Sequence, residues 1–175
     1  MQVLVTAASK HGATAGIAEV IADGIRSAGH EVDVMQPEAV ETIEPYGCVV
    51  LGSAVYAGHW LGAAKGFVER HGEGLADRPV FLFSSGPIGD PPKPDADPAE
   101  VERIEAVTGA IDHRVFAGSL DPTALSRPER FITAIVRAPA GDFRPWDDIT
   151  EWAQEIGRYL HGTDEQPTRE LAAAG

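Results

Sequence analysis

Residues 2–14 have the sequence QVLVTAASKHGAT, in which a short apolar run passes directly into a small, polar turn. The run over residues 2–8 is apolar and contains β-branched side chains, as is typical of a buried strand. Over residues 13–28 the apolar positions recur at helical spacing, and Gly29 follows where a helix commonly ends. The sequence therefore predicts a strand, a tight turn and a helix in direct succession.

The same alternation of strand and helix continues along the chain. Further strands are predicted at residues 31–35, 46–52, 79–84 and 114–120, and further helices at residues 60–71, 98–110 and 147–160. The run YGCVVLG at residues 46–52 is nearly continuous in apolar residues, which favours a parallel strand covered on both faces. We therefore predict an α/β fold with a five-stranded parallel sheet, strand order 2-1-3-4-5, and helices on both faces.

The composition is that of an acidic, globular chain of 175 residues with a formal net charge of −13. One domain is expected at this length, and the acidic balance argues against nucleic acid as a partner. The one cysteine, Cys48, leaves no disulfide framework, and the histidines lack metal-ligand spacing, so no metal site is predicted. No secretory signal precedes the first strand, and the uncharged segment 47–64 contains four glycines. We therefore predict a cytoplasmic protein without a transmembrane span.

The turn after the first strand has the residue types of a phosphate-binding loop. It runs Ser9-Lys10-His11-Gly12-Ala13-Thr14 directly into the helix. A helix start exposes unpaired backbone N–H groups and the positive end of the helix dipole, and the hydroxyls of Ser9 and Thr14 add further donors. The alternative is that Ser9 or Thr14 only caps the helix and that nothing binds there.

Two further loops are expected at the same edge of the sheet, because the carboxyl ends of parallel strands meet there. Residues 53–60 and 84–90 follow the third and fourth predicted strands, and both stretches are small and rich in glycine. Tyr56 and Trp60 supply aromatic rings that could stack on a flat ligand. Either ring could instead pack into the core where the next helix begins, and this alternative stays open. The convergence of three such loops favours a ligand crevice.

Three other kinds of site are not supported by the sequence. A phosphorylated receiver domain needs acidic residues after strand 1 and an aspartate at the end of strand 3, where this chain has Ser9 and Ser53. Neither a G-x-x-x-x-G-K phosphate loop nor a G-x-S-x-G nucleophile elbow is present in the sequence.

The residues at the strand ends resemble those of a known family. Residues 9–14 resemble the flavodoxin phosphate loop T-x-T-G-x-T, with His11 where flavodoxins have threonine. The chain most closely resembles the flavodoxin-domain menaquinone-dependent protoporphyrinogen oxidases of bacteria. That resemblance covers residues 1 to about 160 and includes the stretches 52–59, 67–71, 116–120 and 146–149. It implies a flavodoxin-like fold and FMN as the cofactor.

By the positions of these motifs, the resemblance implies three groups of residues around FMN. The phosphate would be held by Ser9, Lys10, His11, Gly12, Ala13 and Thr14. The isoalloxazine ring would be lined on one side by Ser53, Ala54, Val55, Tyr56 and Gly58, with Tyr56 nearest, and on the other side by Ser85, Gly86, Gly89 and Asp90. The flavin performs the electron chemistry, so no catalytic side chain is assigned, and Tyr56 and His59 are candidates for proton delivery.

The resemblance also implies how the chain is organised. Residues 1–162 would form the FMN-binding domain, with an insert-like segment at 121–145. Residues 163–175 are polar and rich in alanine, a composition that favours a disordered tail. The segment 121–145 contains four arginines against three acidic residues and a predicted short helix at 128–136. In the resembling oxidases this segment is the quinone or membrane side; here a solvated arginine face over a core-packed apolar stripe is the alternative.

Three functions are compatible with this sequence. The first is an oxidoreductase that passes electrons between a reduced substrate and a quinone. The second is an electron carrier between partner proteins, and the third is a flavodoxin-fold module without bound flavin. The expected partner is accordingly a small-molecule substrate, a quinone or a redox partner protein. A peripheral position at the inner face of the membrane is the alternative to a purely cytoplasmic one.

Overall fold

The computed structural model describes residues 1–56, 58–86, 98–120 and 141–164, and within them the predicted α/β fold is confirmed. The strands are β1 Gln2–Ala8, β2 Glu31–Met35, β3 Cys48–Tyr56, β4 His59–Trp60, β5 Val80–Ser85, β6 Asp112–Phe116, β7 Ser119–Leu120 and β8 Gly141–Asp142. The α-helices are α1 Ala13–Ser27, α2 Gly62–Ala76, α3 Pro98–Thr108 and α4 Trp146–Asp164. A single 3-10 turn, Pro37–Ala39, joins β2 to the segment before β3.

The main sheet has the strand order β2-β1-β3-β5-β6, and all neighbouring pairs in it are parallel. This is the predicted order 2-1-3-4-5 once the short strand β4 is set aside. β4 pairs antiparallel with the end of β3, and β7 pairs with β8 in a separate two-stranded sheet. Since parallel neighbours share one direction, the carboxyl ends of β1, β3, β5 and β6 lie along one edge.

The sheet separates two apolar cores, because alternate residues of each strand point to opposite faces. One core contains Val3, Val5 and Val50 with the inner faces of α1 and α4. The other contains Leu4, Leu51, Leu82, and the inner faces of α2 and α3. The near-continuous apolar strands of the sequence are thus explained by burial on both faces.

Two predicted strand ends differ most from the structure, and both lie at the carboxyl edge of the sheet. The third strand was expected to end at residue 52, but β3 continues to Tyr56 because Val55 and Tyr56 pair with Trp60 and His59 across a turn at Gly58, φ +82°. The fifth strand was expected to span residues 114–120, but β6 ends at Phe116 and the chain then enters the separate strand β7.

The last helix is longer than predicted. α4 begins at Trp146 and ends at Asp164, so it includes the first two residues of the predicted tail. The predicted short helix at 128–136, most of the insert-like segment and residues 165–175 lie outside the described residues. The division into a domain and a tail therefore stays a prediction.

Candidate functional site

The carboxyl ends of the central strands form a continuous edge. The Lys10 ammonium, in the turn after β1, lies 4.6 Å from the centre of the Tyr56 ring at the end of β3. A Cβ added at Gly86, just after β5, would lie 2.9 Å from the Val55 carbonyl oxygen, so the backbones of these two strand ends are in contact. A Cβ at Gly118 would likewise lie 3.1 Å from the Gly86 Cα. The structure therefore brings together the turn after β1, the end of β3 and the first residue after β5.

The turn between β1 and α1 is shaped as an anion cradle. Gly12 is the N-cap of α1 with φ +86°, a left-handed conformation that favours glycine. Its backbone N–H donates to Ser9 Oγ at 3.1 Å, and the first helical bond runs from Gly16 N to the Gly12 carbonyl at 2.9 Å. No side chain of the described residues caps α1 at this N-cap. A helix start of this kind exposes N–H groups that lack partners within the helix, and such groups favour an anion.

The β3–β4 hairpin separates the predicted ring-lining residues into inward and outward ones. Ser53 is fully buried; its hydroxyl donates to the Ala54 carbonyl at 2.9 Å and accepts from Leu61 N at 2.9 Å. Val55 is buried in the core under α2 and α3. Tyr56 is 39% exposed, and the Lys10 ammonium lies over its ring. Ser53 and Val55 thus support the hairpin from inside, whereas the Tyr56 ring lies partly exposed at the crevice.

Trp60 anchors this hairpin and belongs to the core, which confirms the core-packing alternative for this ring. It is 2% exposed and its indole N–H donates to Ser84 Oγ at 2.8 Å. Its backbone N–H donates to Glu100 Oε1 at 2.7 Å. Glu100 lies in the first turn of α3 and is a positioning residue that the sequence analysis missed, because only the fold brings it 40 positions back to the hairpin.

Glu100 also holds a cationic partner and a histidine at the edge of the site. Its Oε2 lies 3.2 Å from Lys65 Nζ and 3.3 Å from His59 Nδ1. Burial alone would raise the pKa of Glu100, but the Trp60 amide and the Lys65 ammonium outweigh it, and this pKa lies below its ordinary value. Glu100 is therefore an ionised anchor that orients the His59 ring, whose side chain is 56% exposed.

A buried chain of hydrogen bonds resembles a nucleophilic triad but cannot act as one. His113 Nε2 lies 2.9 Å from Ser84 Oγ, and His113 Nδ1 lies 3.2 Å from Glu105 Oε1. The buried Ser84 hydroxyl already accepts the Trp60 indole N–H and pairs with His113 Nε2, so its hydrogen-bonding positions are used within the protein. The chain instead ties together β4, β5, β6 and α3.

Ser85 is the polar residue at this edge whose hydroxyl is left without a partner. It ends β5, is 1% exposed, and its Oγ makes no hydrogen bond within the described structure. Such an unsatisfied buried hydroxyl costs free energy unless a ligand or water pairs with it. The predicted residues Gly89 and Asp90 lie outside the described residues, so their place at the site stays a prediction.

A separate groove lies elsewhere on the molecule. It has a volume of about 1080 Å³ and lies between α2, α3 and the segment 41–44. Its walls combine apolar residues with charged ones such as Glu69, Arg70 and Arg103, and contain none of the predicted site residues. The strand-end crevice remains the candidate site because ring-stacking and phosphate-binding groups converge there and not in the groove.

Neither a membrane-spanning helix nor a metal-binding cluster occurs among the described residues. None of the described helices is both long enough and apolar enough to cross a membrane. In the same part of the chain, no three His, Cys, Asp or Glu side chains are grouped so that they could hold a metal ion.

The sheet order and the glycine-capped turn after β1 define a flavodoxin-like protein. A family model described as a flavodoxin domain matches residues 4–144, so the chain belongs to the flavodoxin domain family. Membership in this family implies a flavin cofactor. The residues at the crevice fit a phosphorylated flavin. They are the glycine-capped turn after β1, the partly exposed Tyr56 ring and the buried Ser85 hydroxyl, which has no partner among the described residues.

Individual relatives agree with this family. The protoporphyrinogen IX dehydrogenase (quinone) of Escherichia coli strain K12 is 24% identical over 183 residues, covering 96% of this chain and 99% of that protein. A flavodoxin from the domain Archaea has a TM-score of 0.63 at 16% identity and is covered to 99%, against 92% of this chain. Rubredoxin:oxygen oxidoreductase from Desulfovibrio gigas has a TM-score of 0.61 at 16% identity; 94% of this chain matches 37% of it.

Proposed function

We propose that this chain is an FMN-dependent oxidoreductase that passes electrons between a reduced substrate and a quinone. The observation that carries the proposal is the glycine-capped turn after β1, which begins α1 without a side-chain cap and places Lys10 4.6 Å from the centre of the Tyr56 ring. The quinone is proposed because the E. coli relative, whose name includes quinone, aligns with 96% of this chain. Cytoplasmic location and peripheral contact with the membrane stay predictions.

Each part of the crevice has a distinct task in this proposal. The first turn of α1, with Ser9, Gly12 and Thr14, binds the phosphate, and Lys10 adds a positive charge beside it. Tyr56 stacks on the ring system, and the Ser85 hydroxyl donates or accepts at its far edge. When bound, FMN supplies the transfer of electrons, while the protein fixes its position and surroundings.

Proton movement would be assigned to the exposed end of the hairpin. His59 is held by ionised Glu100 through Nδ1, which leaves Nε2 as the ring atom that can carry a proton to or from a substrate. Tyr56 lies directly opposite His59 across the β3–β4 pairing and is the second candidate.

An electron carrier is the second candidate function, and one comparison favours it. The archaeal flavodoxin matches this chain over 99% of its own length, so the described fold needs no additional domain to resemble a flavodoxin. The two functions differ in one measurement: the FMN-loaded protein should turn over a short-chain naphthoquinone with excess reductant if it is an enzyme. Reduction of a protein acceptor without quinone turnover would favour the carrier.

The cofactor itself is tested by titrating the purified protein with FMN and with riboflavin, followed by flavin fluorescence. Thr14→Val should weaken FMN by about tenfold or more, because a hydrogen bond to a charged group contributes about 1.5–3 kcal/mol, and should weaken riboflavin much less. Thr108→Val is the matched control, since Thr108 is also fully buried but its hydroxyl bonds to Ile104 O in α3.

Equal losses of FMN and riboflavin affinity in Thr14→Val would contradict the phosphate cradle. A wild-type protein that binds neither flavin at micromolar concentration would remove both redox functions and leave the flavin-free module.

A further inference from the structure

The corner between β8 and α4 lies directly on the first turn of α1. Arg144 Nη1 donates to the Ala13 carbonyl oxygen at 3.2 Å, across 131 positions of sequence. The Arg144 guanidinium also lies over the Trp146 ring, 4.3 Å from its centre, and the arginine side chain is only 17% exposed. Together with an ion pair to Asp142, these two contacts hold the Arg144 guanidinium beside the phosphate turn.

Gly16 makes this close approach possible. A Cβ at Gly16, in the first turn of α1, would lie 2.7 Å from Arg144 Nη1. The guanidinium consequently rests against the helix backbone itself, where any other residue would force it away. Its positive charge is therefore placed against the first turn of α1.

Asp142 balances this charge. Arg144 Nε donates to Asp142 Oδ1 at 2.8 Å and Nη2 donates to Asp142 Oδ2 at 2.7 Å, which is a two-pronged ion pair. The Arg144 guanidinium lowers the pKa of Asp142 below its ordinary value, so the carboxylate stays ionised at neutral pH. The pair is almost neutral as a whole, but each member alone would present a full charge beside the cradle.

We infer that Arg144 and Asp142 set the affinity of this site for the phosphate group of its ligand. Arg144 raises this affinity, and Asp142 lowers it. The inference rests on the proposed FMN site, and it assigns the site a selectivity for a dianionic monophosphate over the unphosphorylated flavin. Neither residue touches the ligand in this account; both act through the charge near the first turn of α1.

The two single substitutions should change FMN affinity in opposite directions. Arg144→Gln leaves an uncompensated carboxylate near the phosphate and should weaken FMN by roughly threefold to tenfold at low salt. Asp142→Asn leaves an uncompensated cation, still held by Ala13 O and the Trp146 ring, and should tighten FMN by a similar factor. Affinity for riboflavin should change by less than about twofold in both variants, and the FMN effects should shrink as salt is added.

A second ion pair on the molecule provides matched controls. Arg114 Nε lies 2.9 Å from Asp112 Oδ2, and Arg114 also reaches Glu155, which is nine residues and roughly 13 Å along α4 from Trp146. Arg114→Gln changes the net charge as Arg144→Gln does, and Glu155→Gln changes it as Asp142→Asn does. Because each control changes the net charge by the same amount as its matched variant, a difference between the two depends on where the charge lies. Both controls should bind FMN with nearly the wild-type affinity.

The experiment is a fluorescence titration of all variants with FMN and riboflavin, with the melting temperature of each variant as a check on folding. The double variant Asp142→Asn/Arg144→Gln should lie between the two single variants, which also decides the matter if one single variant folds poorly. Arg144→Gln binding FMN as tightly as Arg114→Gln, or equal shifts for FMN and riboflavin, would overturn the inference. Failure of the wild type to bind FMN would instead overturn the proposed function on which it rests.

Discussion

At the scale of single residues, two serines of the crevice differ in whether their hydroxyls are already paired. Ser53 bonds to Ala54 O and Leu61 N, so its hydroxyl stabilises the hairpin. Ser85 Oγ is buried and has no partner among the described residues. Both were predicted from sequence to line the flavin, and sequence could not separate them because the partner of Ser53 depends on the unexpected hairpin.

Substituting these serines should therefore give opposite results. Ser85→Ala removes an unsatisfied polar group, so the free protein should be as stable or more stable by up to about 1 kcal/mol, while FMN binds roughly twofold to tenfold more weakly. Ser53→Ala should lose about 1–3 kcal/mol because Leu61 N is left unpaired, with FMN affinity little changed in the folded protein. Urea unfolding and flavin titration measure the two quantities; a destabilised Ser85→Ala with normal FMN affinity would show that Ser85 has only a structural role.

At the scale of elements, close helix packing depends on glycines that have no local signature. α1 and α4 cover one face of the sheet together, and a Cβ at Gly24 would lie 2.4 Å from the Ala153 Cβ. A Cβ at Gly157 would similarly lie 2.5 Å from the Ala28 Cβ. The helices themselves were predictable from apolar spacing. Their approach was not, because a glycine inside a helix indicates close contact only when the facing residue is known.

Two glycine substitutions separate helix propensity from packing. Gly24→Ala should destabilise the protein by about 1–3 kcal/mol, since the new methyl group overlaps Ala153 in a filled interface. Gly66→Ala, inside α2, meets only the end of the Arg70 side chain at 3.4 Å and should stabilise by about 0.5–1 kcal/mol through helix propensity. Thermal or urea unfolding of both variants tests this, and a stabilised Gly24→Ala would mean that α1 and α4 pack less closely than described.

At the scale of the whole molecule, the sequence predicted the sheet order and the strand ends at which the candidate site lies. Local patterns sufficed because buried parallel strands and amphipathic helices each carry their own periodicity. Glu100, His113 and Arg144 were not recognised as parts of the edge, because each reaches it through contacts across 29 or more positions of the chain. Long-range polar contacts of this kind leave no pattern in a single sequence.

These long-range contacts should also make stability depend on pH. Burial lowers the pKa of His113 below 6.5, and Glu105 only partly opposes this effect. The neutral ring fits a chain in which Trp60 donates to Ser84, Ser84 to His113 and His113 to Glu105, whereas a proton on Nε2 would oppose the Ser84 hydroxyl.

The direction of this pH dependence follows from proton uptake by the unfolded chain. As pH falls below 6.5, the unfolded chain binds a proton at His113 before the folded one does, so the free energy of unfolding should decrease from about pH 6.5 downward. His71, whose pKa burial also lowers, adds to the same decrease. His113→Gln should be less stable at pH 7.5 but should lose less stability on acidification to pH 5, whereas the control Arg158→Gln in α4 should keep the wild-type slope. Urea unfolding at several pH values measures these slopes, and an unchanged slope in His113→Gln would show that the buried chain tolerates the proton.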